Sequence, residues 1–195
     1  MSKYFKSQAA PTADPQIWEH SKQVEDGIGG GVLVATDLVA GSKLKKGALI
    51  YWDGSGATRN VYPVKNALVV SGGTTAAPRV NKNHLFIVGD ACYVSGDAVT
   101  INSIDTTNSA YDVITFSAAC TGATAGAYLE QATAAGATPT VKYNANALLG
   151  ESILDVQGGE TCTVVLWVFQ AIEKSRLPYS ASDLRIADLT KLKFV

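Results

Sequence analysis

The stretch Asn83–Leu129, NHLFIVGDACYVSGDAVTINSIDTTNSAYDVITFSAACTGATAGAYL, decides the fold. Leu85-Phe86-Ile87-Val88 reads as a β-favouring run closed by Gly89-Asp90, and Tyr93-Val94 as a second closed by Ser95-Gly96-Asp97. From Val99 to Ile101 apolar and polar residues alternate, which points Val99 and Ile101 to one side of a strand and Thr100 and Asn102 to the other. Asp105-Thr106-Thr107-Asn108-Ser109 supplies side chains that bond back to nearby amides, which makes a turn. Asp112–Phe116 then resumes the β pattern with branched and aromatic residues.

Working outward, the same grammar continues. Leu49–Trp52 predicts a strand entering a hairpin at Asp53-Gly54-Ser55-Gly56. Val61–Val64 and Ala67–Val70 follow, and Pro63 places the first of these at a sheet edge. Tyr128–Gln131 reads as strand then loop, because Gly126 and Gly136 bracket it too closely for its alanines to build a helix. Ala147–Gly150 and Ile153–Val156 lead to the turn Gln157–Glu160, and the nearly all-apolar Thr163–Phe169 suits a strand buried on both faces. Ser180 and Ser182 offer N-caps for one helix, Asp183 to about Leu189, with Leu184 and Leu189 inward. The expected fold is all-β: a compact β-barrel or sandwich of many short strands with one short C-terminal helix.

Residues 1–26 differ from the body. They carry Lys3, Lys6 and Lys22, two prolines, and the large groups Tyr4, Phe5, Ile17 and Trp18 without a sustained period. This stretch reads as an N-terminal arm whose aromatics dock on the body or on a partner. Gly27–Gly31 follows as a hinge, and residues 27–195 form the β-rich body. A phosphate-binding reading of the glycines fails, because the third glycine of G-x-G-x-x-G falls on Val32 and no helix pattern follows.

Composition sets the remaining bounds. The 195 residues suffice for one self-sufficient core, and 47% are hydrophobic. Charged residues are 17%, below a typical ~25%, which fits either surface covered by partner subunits or a weakly charged β-protein. With a net charge of −1 no basic field draws nucleic acid, and the lysines lack an interleaved aromatic pattern. Met1–Ala10 has no apolar core before a cleavage site, and the apolar run Val164–Ile172 is too short to span a bilayer. A soluble protein made in the cytosol, with no membrane partner, is the expectation. Cys92, Cys120 and Cys162 are odd in number and far apart, as expected of buried free thiols.

Nothing in the sequence assembles a reaction centre. His20 and His84 have no second ligand at metal spacing, and His84 reads as a turn or edge residue. Asp90, Asp97, Asp105 and Asp112 adjoin turn residues, where acids cap amides. Asp53–Gly56 fails as a calcium loop because its later ligand positions hold Ala57 and Arg59. No enzyme, metal or cofactor is expected, although a paired-carboxylate hydrolase would come together only in three dimensions. Tyr51 and Trp52 beside an exposed turn could contact a glycan; alternatively one faces the core and the other an interface.

Two ordered sets of motifs carry a resemblance. One runs from Lys46-Gly47-Ala48-Leu49 through Tyr62-Pro63-Val64-Lys65, Pro78-Arg79-Val80, Val88-Gly89-Asp90 and Ser103–Thr106 to Tyr111–Thr115; the other runs from Tyr143–Gly150 to Ser175–Tyr179. Together they resemble the head-fibre proteins of tailed phages, notably those of gut Bacteroidetes. The succession Ala147-Leu148-Leu149, Val156, Gly159, Thr163–Leu166 is similar to the trimeric head-decoration proteins of phage capsids. The resemblance implies a virion structural protein on the capsid surface, a homotrimer, with the major capsid protein as partner and Tyr4, Phe5 and Trp18 as docking residues. It departs from a long fibre in having neither repeat nor heptad shaft. The alternative is a carbohydrate- or receptor-binding β module meeting host-surface or mucus glycan.

Overall fold

The computed structural model describes residues 24–26, 30–54, 59–136, 138–168, 172, 174–189 and 194. The chain is all-β with a short C-terminal helix, as expected, and its strands divide into two units.

The middle of the chain closes a barrel. β5 (Asn66–Val70), β6 (Arg79–Asn81), β7 (Ala91–Val94), β8 (Asp97–Asp105), β9 (Tyr111–Phe116) and β10 (Tyr128–Gln131) pair antiparallel in the cyclic order β10-β5-β6-β9-β8-β7. Inward residues of these strands fill the lumen: Val69, Val80, Cys92, Val94, Ile101, Ile114, Phe116 and Leu129, together with Cys120 from the loop after β9. Closure leaves no free edge. The turn between β8 and β9 forms as its composition dictates. Thr107 N–H and Oγ1–H both donate to Asp105 Oδ1 (2.9 and 2.7 Å), and Ala110 N–H donates to Asn108 Oδ1 (2.9 Å).

The flanking segments form a seven-stranded sheet. β1 (Val24–Asp26), β2 (Gly31–Leu33), β3 (Leu49–Trp52) and β4 (Asn60–Pro63) precede the barrel; β11 (Ala147–Leu149), β12 (Thr161–Cys162) and β13 (Val164–Val168) follow it. The order is β1-β13-β11-β3-β4-β2-β12, with β2 and β4 parallel and the other pairs antiparallel. Both faces are covered. Leu49, Leu148 and Val165 join one core with Ala181 and Leu189, whereas Ile50, Ala147, Leu149 and Val164 join another with Leu33, Leu44 and Val156. Two covered faces explain the continuous apolar runs of β11 and β13. The last three residues of the arm, β1, pair with β13 at one edge of this sheet.

Two sequence expectations are corrected. Leu85–Val88 is not a strand. Ile87 N–H donates to the Asp90 carboxylate (2.9 Å) instead of a ladder, and Gly89, at φ 92°, turns the chain. Phe86 instead enters the barrel core from this irregular segment. Pro63 does not mark an edge either, because β4 lies between β3 and β2. It faces Ile50 in a non-hydrogen-bonded pair, with Val64 N–H donating to Leu49 O (2.9 Å). The missing N–H therefore points to the β2 side, beyond the last β2 partner at Val61, where no ladder bond is lost.

The helix α1 (Asp183–Ala187) starts where the sequence places it: Ser182 Oγ accepts from Arg185 N–H (3.2 Å).

Candidate functional site

The most concentrated polar chemistry lies at the end of the barrel that meets the sheet. Lys65 ends the β4–β5 link, Asp90 precedes β7, and Gln131 closes β10, the strand between β5 and β7. Lys65 is only 1% exposed, which is rare for a lysine. Its Nζ lies 2.7 Å from Asp90 Oδ2 and also donates to the main-chain carbonyl of Asp37. Asp90 Oδ1 accepts from Gln131 Nε2 at 3.2 Å, and Oδ2 from Ile87 N–H. Gln131 Nε2 also reaches Asp37 Oδ2 (3.3 Å), whose partner is Lys142. The group thus joins the barrel to the 35–44 loop of the sheet unit.

The electrostatics follow burial. Burial pulls the Lys65 ammonium below the ordinary lysine range, and the hydrogen bond and charge of Asp90 only partly offset it. Asp37 is less deeply placed: burial would raise its carboxyl, but Lys142, Lys65 and Gln131 together hold it below the usual range.

A second buried group fixes the helix to the barrel. Glu130 Oε1 accepts from Ser182 Oγ (2.6 Å) and Arg185 Nε (3.0 Å), while Arg185 also reaches Asn144 and, at 2.8 Å, Asp188. A third group places His84 Nε2 3.3 Å from Asp112 Oδ2, with Lys82 Nζ 2.5 Å from Asp112 Oδ1. His84 follows the end of β6, in the irregular segment its sequence suggests, but its side chain is turned inward. Its imidazole is 6% exposed, and burial lowers its pKa against the pull of Asp112.

Tyr51 and Trp52 do not share a surface. Tyr51 stacks with Tyr143 (ring centroids 5.8 Å apart), which in turn stacks with Tyr62 (4.8 Å), and it packs on the core containing Leu49. Trp52 packs on the opposite face with Ile50 and Val61. Its indole N–H donates to Gly30 O (3.2 Å), and Gly54 lies so close over the ring that a Cβ there would come within 2.8 Å of it. Asn146 clamps the Trp52 backbone with two hydrogen bonds (2.7 and 2.9 Å). The pair therefore cannot stack on one sugar ring. Tyr4, Phe5 and Trp18 lie outside the described residues.

All three thiols are buried and free. Burial pushes Cys92 and Cys120 up and Cys162 up to about 11, so none is a thiolate at neutral pH. Among the described residues no three His, Cys, Asp or Glu side chains are placed to hold a metal ion, and no helix is long and apolar enough to cross a membrane.

In the sequence Lys65 and Arg185 show no local sign of a shared buried site, and Glu130 and Gln131 only one. One signal was present: Glu130-Gln131 is a polar doublet inside a β run, and one of two neighbouring strand residues must face inward. Comparisons with family models, curated proteins and solved structures find no match.

Proposed function

We propose that the chain is a structural subunit of a tailed-phage virion, a head-fibre or decoration protein carried on the capsid exterior as a homotrimer, with the major capsid protein as its partner. The observation that carries this reading is a set of exposed large apolar side chains on adjacent loops. Val39, Val88 and Leu154 are 58%, 59% and 68% exposed. Residues 41–44 hydrogen-bond to residues 153–156, and Val39 and Ile87 line a common cleft. The three residues thus stand on neighbouring loops, and exposed large apolar groups on adjacent loops are what an interaction surface offers a partner.

Two further facts support the reading. The buried charges Lys65, Asp90, Glu130 and Arg185 are engaged in ties between elements, the use a rigid scaffold makes of them. The low share of charged residues, 17%, and the ordered motifs that resemble those of head-fibre proteins agree with it.

Light scattering of the purified chain tests the assembly. A trimer mass is expected, falling to that of one chain in Val88→Asp/Leu154→Asp; a wild-type monomer at high concentration removes the proposal. Purified virions should contain the polypeptide, and particles lacking it would refute the virion role.

A further inference from the structure

We propose that Lys65 and Asp90 condense within the folded chain to an amide cross-link, making the protein the agent of its own covalent closure. The reacting atoms are already in place. Lys65 Nζ is 2.7 Å from Asp90 Oδ2, one bond from the Cγ it would attack, and both side chains are at least nine-tenths buried. In water such a pair is inert, because the amine is protonated and the carboxylate is not. Burial disfavours the ammonium of Lys65 and so favours its free amine, the form that can attack.

The surroundings match that requirement. An ammonium carries three N–H groups, yet Nζ contacts two oxygens among the described residues, Asp90 Oδ2 and the Asp37 carbonyl. Burial also holds the Lys65 pKa down, which enlarges the share of free amine. On the acid, Gln131 Nε2 donates to Oδ1 and Ile87 N–H to Oδ2. The first bond polarises the carbonyl toward attack and stabilises negative charge developing on Oδ1. The second faces the oxygen that must leave.

The step balances without an outside reagent. A proton passes from the Lys65 ammonium to the Asp90 carboxylate, leaving amine and carboxylic acid. Nζ attacks Cγ and a C–N bond forms. The Cγ–Oδ2 bond of the adduct breaks, and that hydroxyl departs as one water with a proton taken from the nitrogen. Nothing is oxidised or reduced. The new amide links the starts of β5 and β7, the two neighbours of β10, and so locks the barrel end that faces the sheet. Mechanical load that draws Lys65 away from Asp90 is then borne by a covalent bond, and residues 66–89 cannot be extended between them.

Intact mass spectrometry and a tryptic map of the full-length chain decide the matter. The wild-type chain is expected to weigh one water less than its sequence mass. Trypsin should fail to cut after Lys65 and release peptide 60–79 joined to peptide 83–142. Lys65→Arg, which keeps the positive charge without a primary amine, and Asp90→Ala should both show the full mass. Water loss at Asp53-Gly54 would mimic the intact mass but leave cleavage after Lys65 intact. A chain cleaved normally after Lys65, after long incubation in the folded state, overturns the proposal and leaves a buried ion pair.

Discussion

Glu130 Oε1 lies 3.0 Å from Arg185 Nε, and through that contact the only α-helix among the described residues is fastened to the wall of the barrel. Next to Glu130 in β10, Gln131 turns to a different partner, Asp90. One strand thus anchors the helix with one residue and the loop before β7 with the next.

Breaking the Glu130–Arg185 pair from one side leaves the other charge buried without its partner. Arg185→Met should cost about 3–5 kcal/mol of stability. Glu130→Gln with Arg185→Met should cost less than the sum of the two single changes, by about 0.5–3 kcal/mol. Urea unfolding of the four proteins in a double-mutant cycle measures the coupling; strict additivity would show that the contact contributes nothing.

His84 makes stability fall in mild acid. Burial keeps the folded imidazole neutral below its ordinary pKa of about 6.5, so on acidification the unfolded chain takes up the proton first. The contribution is complete above that value and is lost progressively below it. Between pH 7.5 and 5.5 the wild type should lose about 1 kcal/mol that His84→Gln does not lose. A wild type that gains stability over this range would mean that the nearby Asp112, at 3.3 Å, outweighs burial and that Lys82 does not spoil the pairing.

Trp52 supports the fold. Trp52→Ala removes its packing on Ile50 and Val61 and its bond to Gly30 O, and should cost about 3–5 kcal/mol. On a glycan array, wild type and variant should give the same profile at a temperature where both are folded. Binding that is selectively lost in the variant would instead return Trp52 to a ligand-contacting role.

The thiols should be silent until the barrel opens. Cys92 and Cys120 lie in the barrel core and Cys162 in the sheet core, each with its pKa raised by burial. A thiol-reactive dye at pH 8 should label none of them in the native protein and all three in denaturant. Rapid labelling of the native state would mean that one core opens readily.

In the proposed virion role, the N-terminal arm is the segment expected to meet the capsid. Deleting residues 1–23 leaves β1 in place on β13, so the body should keep its melting temperature within a few degrees while losing co-sedimentation with capsids. Undiminished co-sedimentation would move the contact to the body.

By itself the sequence determined the secondary structure class and much of its punctuation. Strands Leu49–Trp52, Tyr128–Gln131 and Ala147–Leu149, the Asp105 turn and the Ser182 cap are local events, written in neighbours a few residues apart. Where local grammar misled, a distant group had taken over the backbone. Ile87 gives its N–H to a side chain rather than a ladder, and Pro63 sits inside a sheet because β2 stops short of it. Tertiary structure alone decided which strands close into a barrel, which face Tyr51 and Trp52 each take, and that Lys65 is buried. Lys65 and Asp90 are 25 residues apart, Gln131 and Asp90 41, and Glu130 and Arg185 55. A charged residue between Val64 and Asn66 reads locally as solvated. It becomes a core group only when strands far apart in sequence carry an acid to it and shut out the water.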